Sequence, residues 1–181
     1  PTMAQISLGQ IFLVRRELKH EIMELDSMIV SLAFHREDKE KPTEDYNEVF
    51  NTLTRKRSQL VDMDMIIEKC NSMPDTITFK GQKMSLNMAR HLKTHLSASL
   101  CFLSNQVRCI EPILRREDKE TETDWSMNPP MNLTKKYKYV VIADVPGLKE
   151  QMKEVQKSIS ELDSLIQQTV WSLMVEDPAK D

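Results

Sequence analysis

The sequence predicts a mainly α-helical protein: an elongated antiparallel four-helix bundle or coiled coil with a short β-hairpin and one additional short strand. Two observations favour this fold class. Apolar residues recur at alternating steps of three and four in four separate segments. The chain also has only 3 Gly but 12 Met among its 181 residues, and glycine disfavours helix interiors. So few glycines exclude glycine-rich phosphate loops and dinucleotide fingerprints. We therefore expect residues 1–181 to form a single helical domain.

The four apolar stripes predict the positions of the helices. A spacing of three and four places the apolar side chains on one face of an α-helix. Ser7, Ser85 and Asp144 stand where an N-cap would accept first-turn N–H groups. Helices of this length span roughly 40 Å and favour an elongated bundle. The predicted helices lie at about 7–35, 44–70, 85–114 and 145–174.

Three segments between the helices carry other signals. Thr alternates with Ile and Phe over 76–84, around Lys80 and Gly81, which predicts a β-hairpin. Residues 115–134 are charged and then rich in Asn and Pro, so we expect a long flexible loop there. The apolar run at 137–142 predicts a short strand before the last helix.

Large apolar side chains outside the four stripes suggest self-association. Exposed apolar surface on a small protein commonly marks an interface. We therefore expect a homo-oligomer in which neighbouring subunits cover these side chains. They are Phe12, Met23, Met28, Phe50, Met65, Met88, Phe102 and Leu165.

One cation interrupts the apolar stripe in each of the first three helices, at Arg15, Lys56 and Lys93. A buried cation without a partner is costly. Each must therefore be paired, extend its charge to solvent or face an anionic ligand. One interpretation is that these residues set the helix register, as a polar residue does in a coiled-coil seam. The other is a basic pocket that binds a ligand.

In the second interpretation the ligand is small, anionic and nucleotide-like. Basic side chains would neutralise its phosphate, and an aromatic side chain would stack on its base. The cleft would lie between helices or between protomers. The predicted ligand-binding residues are Arg15, Lys56, Asn71, Arg90, Lys93 and Tyr139.

The remaining chemistry-bearing residues indicate no catalytic or metal site. His91 and His95 stand one helical turn apart, as two metal ligands would, but no third ligand is evident. The cysteines have no base beside them, and the carboxylates at 62, 64 and 68 fit a solvated helix face. We therefore predict no metal, no cofactor and no enzymatic activity.

Charge and cysteine usage limit the partners and the compartment. The net charge is −3 and the pI is about 5.9, so there is no global basic footprint for a nucleic acid polymer. No apolar run approaches the ~18 residues of a membrane span. An odd number of cysteines and the lack of a leader sequence predict free thiols in the cytoplasm.

Several short motifs resemble those of one known family. Ala89-Arg90-His91 is similar to its Ala-Arg-Arg-Asp helix start. Leu162–Gln167 with Trp171 is similar to its ending Leu-Asp-x-x-Ile-Gln-x-x-Asn-Trp. Further similar segments are Ile67–Asn71, Gly81 with Met84-Ser85, and Tyr139–Val145 with Leu148. In this order the motifs resemble the DIP1984 family, small helical bacterial and phage proteins sometimes labelled septicolysin-like. The resemblance implies a helical, oligomeric protein and supplies no established activity.

Two classes of function stay open. The first is a non-enzymatic homo-oligomer that binds, and sequesters, a nucleotide-like ligand in its basic clefts. In a phage such a protein would serve as an anti-defence sponge in the host cytoplasm. The alternative is a structural or protein-interaction module whose helical seams mediate assembly only.

Overall fold

The computed structural model of the protein describes residues 5–37, 39–40 and 42–177. It contains the helices α1 (Leu8–Leu32), α2 (Tyr46–Asn71), α3 (Leu86–Ile110) and α4 (Val145–Ser172). The strands are β1 (Gln5–Ser7), β2 (Ile77–Phe79), β3 (Gln82–Met84), β4 (Glu117–Asp124), β5 (Met131–Lys138) and β6 (Met174–Glu176). The chain divides into two compact units. The first runs to Arg90 and resumes at Asp163, and the second is His91–Leu162.

The predicted four-helix bundle or coiled coil is wrong. In the residues that the structure describes, the four helices occur together with six strands, which form three separate antiparallel pairs: β1 with β6, β2 with β3, and β4 with β5. Helical periodicity identified the helices correctly but contained no information about which helices pack together. The sequence pattern also did not predict the pairs β1–β6 and β4–β5, because their strands do not show the apolar alternation of a half-buried sheet.

In the first unit, α1 and α2 form an antiparallel pair around a small core. Leu18, Ile22, Leu53 and Met63 are buried in it. Ser7 begins α1 with a capping box: its hydroxyl accepts from the Gln10 N–H at 3.2 Å, and the Gln10 side chain accepts from the Ser7 N–H at 2.8 Å. This confirms the predicted N-cap of the first helix.

Two short strand pairs complete the first unit. The predicted hairpin is present as β2 and β3, with Lys80 and Gly81 at its turn, at φ 49° and 80°. Gly81 adopts this left-handed conformation without steric cost. The pair β1–β6 joins segments near opposite ends of the sequence, and the Leu8 N–H donates to the Leu173 carbonyl at 2.8 Å. Nothing in the sequence predicted this pair.

In the second unit, the prediction of a long flexible loop at 115–134 is wrong. A 3-10 turn at Glu111–Arg115 follows α3, and the chain then forms a hairpin of eight paired positions, from Glu117 opposite Lys138 to Asp124 opposite Met131. The predicted strand at 137–142 is displaced, because β5 ends at Lys138. The sequence of this hairpin consists largely of charged residues and threonines, and such a composition is also typical of a solvent-exposed loop.

Candidate functional site

Arg15 and Lys56 are two of the three cations that interrupt the apolar stripes, which we call the seam cations. Each forms an ion pair between α1 and α2. Arg15 on α1 donates from Nε to the Asp64 carboxylate on α2. Lys56 on α2 donates to Oε2 of Glu21 on α1 at 2.5 Å. One residue along α2, Arg57 donates to Oδ1 of Asp26 on α1 at 2.5 Å. Three ion pairs therefore follow the seam of the antiparallel helix pair, with cations contributed by both helices.

The side chains of these ion pairs are partly exposed to solvent, and this exposure limits how much each pair contributes to the free energy of unfolding. The hydrogen bond from Arg15 holds the pKa of Asp64 below its usual value, although burial acts in the opposite direction. Both side chains remain partly open to water, and ion pairs of this kind contribute about 0–1 kcal/mol each. Their larger effect is on specificity, because each pair forms in one helix register and is lost in a shifted one.

Asn71 and Arg90 are brought together in the first unit. Arg90 on α3 donates from Nη1 to Oδ1 of the buried Asn71, at the last residue of α2, at 2.7 Å. The guanidinium carbon also lies 5.8 Å from the centre of the Phe12 ring on α1, in a cation–π arrangement. Burial lowers the pKa of Arg90 from its usual value. One guanidinium thus connects three helices.

Lys93 and Tyr139 belong to the second unit. Lys93 is half-buried on α3. Tyr139 donates its hydroxyl proton to Asp118, and the guanidinium carbon of Arg116 lies 5.4 Å from the centre of the tyrosine ring. The hydrogen bond raises the pKa of Tyr139 and lowers that of Asp118. The phenol that was predicted to stack on a base therefore already has a cation over its ring.

An open cavity of about 800 Å³ lies between α3 and α4 within the second unit. Apolar side chains from both helices line it, including Phe102 and Val155, and Glu150 and Glu154 are also among its lining residues. The sequence identified Phe102 only as a large apolar residue outside the four stripes, and it did not predict the cavity. The α3 residues Ala98 and Ser99, which also line the cavity, have small side chains.

In the described part of the chain, the histidines and cysteines are not gathered into a metal-binding cluster. Within residues 5–37, 39–40 and 42–177, no group of three His, Cys, Asp or Glu side chains is placed to hold a metal ion. Cys70 is buried, and burial raises the pKa of its thiol, whereas Cys101 and Cys109 are exposed. A raised thiol pKa disfavours the thiolate that acts as a nucleophile.

Comparison with known proteins identifies relatives of unknown function. The model of a family described as a family of unknown function (DUF6847) matches residues 15–175. A similar solved structure is the crystal structure of a functionally unknown conserved protein from Corynebacterium diphtheriae. It is 18% identical, with a TM-score of 0.61, and the match covers 96% of this chain and 100% of that one. At this identity the likeness shows a shared fold alone. No curated protein matches, and neither match carries the septicolysin name.

Proposed function

The chain belongs to DUF6847, a family of unknown function, and from its own contacts we propose that it is a non-enzymatic, homo-oligomeric structural or protein-interaction module. Its helices and strands present surfaces that copies of the chain use to assemble. Of the two functions that the sequence left open, this is the alternative, in which the seam cations set the register of the helices.

The observation that carries this proposal is the pairing of the seam cations. Arg15 and Lys56 each contact a carboxylate on the opposite helix, at Asp64 and Glu21. A cation that already has an anion in its own helix pair has less charge to offer a phosphate, because binding would first have to displace that carboxylate. The pairs also follow the apolar seam, as expected of residues that specify register.

Exposed apolar side chains support the oligomeric part of the proposal. Of the eight off-stripe residues, Met23, Phe50, Met65, Met88 and Phe102 are exposed, and the other three are partly covered. Near the α1–α2 connection in the first unit, Val30 and Phe34 are also open to water. Large apolar side chains of this kind, such as Phe and Met, are enriched at protein–protein interfaces.

Removing the seam cations tests the proposal against ligand binding. The variant Arg15→Leu/Lys56→Leu extends the apolar stripe and removes both charges. We expect it to remain folded and to keep the oligomeric state of the wild type in sedimentation experiments. Loss of a small molecule that co-purifies with the wild type in native mass spectrometry would instead favour the ligand-binding function.

A small anionic, nucleotide-like ligand is the second candidate, and Arg90 is the residue that favours it. Its half-buried guanidinium lies over Phe12 beside the amide of Asn71, so one place offers a cation, an aromatic ring and a hydrogen-bonding amide. In a phage-encoded protein, such a site would sequester a host nucleotide signal.

Isothermal titration against a nucleotide panel tests this second candidate. Arg90→Gln should abolish the heat of binding. Arg108→Gln is the matched control, since Arg108 also lies on α3 and donates to an asparagine, Asn105, at 3.2 Å. Absence of binding to the wild type at high micromolar concentration would remove the candidate.

We also propose that the Corynebacterium diphtheriae neighbour and this chain fall in the DIP1984 group that the sequence motifs resemble. Its septicolysin label implies a cytolysin, and we do not extend that activity to this chain. Along the described ranges, no helix has both the length and the apolar character to cross a bilayer. The free thiols support a cytoplasmic location as part of the proposal.

A further inference from the structure

The β4–β5 hairpin of the second unit has two faces with opposite charge. Residues directly opposite each other in the register share a face, and faces alternate along each strand. We call the two sets the acidic face and the basic face. The acidic face consists of Asp118, Glu120, Glu122, Asp124, Met131, Leu133, Lys135 and Tyr137. The basic face consists of Glu117, Lys119, Thr121, Thr123, Asn132, Thr134, Lys136 and Lys138.

The acidic face combines a row of carboxylates with a row of apolar side chains. All of its β4 positions are acids, and Lys135, the one cation among its positions, lies 3.4 Å from Glu122. Arg116, just before β4, also lies 3.2 Å from Asp118, so Glu120 and Asp124 are the acids of the row without an ion pair in the described part of the chain. Beside them on β5, Met131, Leu133 and Tyr137 remain 49%, 44% and 47% exposed. An exposed acidic and apolar surface of this kind fits a partner that offers cations together with side chains of low polarity.

The basic face contains a pair of like charges that destabilises the hairpin itself. Lys119 and Lys136 lie directly opposite each other, an arrangement that weakens a strand pair. Lys138 follows on the same face, opposite Glu117, and threonines occupy three of the other positions. A row of carboxylates on a partner would turn this unfavourable pair into a favourable contact, and the threonine methyl groups would pack on apolar side chains.

We infer that the basic face of this hairpin docks on the acidic face of the same hairpin in a second copy of the chain. The inference rests on the proposed function and names the surface through which assembly occurs. Lys119, Lys136 and Lys138 meet the partner's carboxylate row, and the threonines cover the partner's apolar row. A two-stranded ribbon alone is at best marginally stable in water, so docking also stabilises the hairpin.

The charge pattern selects the symmetry of this contact. Two acidic faces placed together would bring carboxylate rows against each other, and two basic faces would do the same with lysines. Juxtaposed like charges are unfavourable and reject such partners. A basic face on an acidic face is a heterologous contact, which closes into a ring when the rotation between copies permits.

The variant Met131→Lys/Leu133→Lys tests the acidic face without damaging the hairpin. These positions lie opposite Asp124 and Glu122, so each new lysine gains a favourable cross-strand pair, while the apolar row is lost and the carboxylates are neutralised. Circular dichroism should be unchanged. Sedimentation equilibrium should show self-association at least about tenfold weaker.

Asn132→Lys/Thr134→Lys is the matched control, because it adds the same two charges to the same strand but on the basic face. It should keep or strengthen self-association. If the control dissociates as fully as the first variant, the effect is one of total charge and the inference is overturned.

Lys136→Glu tests the basic face independently. It replaces the like-charge pair with Lys119 by an opposite-charge pair, so the hairpin becomes more stable while self-association becomes weaker by at least about tenfold. If the wild type assembles and neither Lys136→Glu nor the acidic-face variant weakens assembly, the hairpin inference fails while the proposed function stands. A monomeric wild type overturns both.

Discussion

Gly9 allows Trp171 to pack against the start of α1, and Gly9→Ala tests that contact. A Cβ atom added at Gly9 would lie 2.6 Å from both Cδ2 and Cε3 of the Trp171 ring. Carbon atoms in van der Waals contact are about 3.5–4.0 Å apart. The ring of Trp171 would therefore have to retreat from α1 by about 1 Å, or α1 would have to shift at its first turn.

Two opposing terms determine the size of the effect. Forcing an extra methyl group into a packed contact costs typically about 1–3 kcal/mol. Alanine in place of glycine within a helix gains about 0.5–1 kcal/mol. The steric term is larger, so we expect Gly9→Ala to lower the free energy of unfolding by about 1–2 kcal/mol. For a chain of this size the melting temperature should fall by roughly 2–8 °C.

Urea unfolding at fixed protein concentration measures this difference, and a double-mutant cycle assigns its cause. Trp171→Leu removes the ring that Cβ would contact. In that background Gly9→Ala should be neutral or stabilising, with a coupling of at least about 1 kcal/mol between the two sites. The steric reasoning is refuted if Gly9→Ala stabilises the otherwise unchanged protein, or if its cost is equal in both backgrounds.

Three further predictions concern the ion pairs, the helix caps and the thiols. Arg15→Leu should change the free energy of unfolding by less than about 1 kcal/mol at neutral pH. Because Arg15 lowers the folded-state pKa of Asp64, the ion pair stabilises the folded protein above the unfolded-state pKa of about 3.9, and this stabilisation is lost as the pH falls through the lower folded-state pKa. Urea titrations of the variant and the wild type should therefore converge in acid. Asp144→Ala removes the carboxylate that accepts the Gly147 N–H at 3.0 Å and should cost about 1 kcal/mol in thermal unfolding, whereas an unchanged melting temperature would show that the cap is dispensable. In native protein, iodoacetamide should alkylate the two exposed cysteines first and Cys70 only after denaturant is added; equal rates by mass spectrometry would contradict its burial.

The start of a helix was predictable where the signal is local. Ser85 accepts from the Met88 N–H at 3.2 Å, and Asp144 caps α4 as expected. The second helix was predicted to begin at about residue 44 and begins at Tyr46, with Asp45 as an N-cap that accepts from the N–H groups of Asn47 and Glu48. A capping side chain contacts a backbone group within three residues, so the sequence contains both partners at a known spacing.

The long-range pairings could not be predicted in the same way. Each of β1 and β6 has three residues, and such a short segment has no periodicity until its partner is known. The β4–β5 hairpin was missed for another reason: Glu117–Asp124 is charged on both faces, so it lacks the alternation that identifies a strand.

The candidate site was predictable only in part, because charge pairing depends on helix register. The sequence located Arg15 and Lys56 within apolar stripes, but their partners Asp64 and Glu21 lie on the opposite helix. Only a fixed alignment of α1 against α2 brings those carboxylates to the seam. Of the two interpretations that the sequence left open for these cations, this alignment favours register over ligand binding.

Sedimentation equilibrium of the wild-type protein over a concentration series tests the central claim, self-assembly, most directly. The account predicts a mass that is a multiple of the chain's 21.1 kDa and that decreases on dilution or when Met131→Lys/Leu133→Lys is introduced. A mass of 21.1 kDa at every concentration would contradict it.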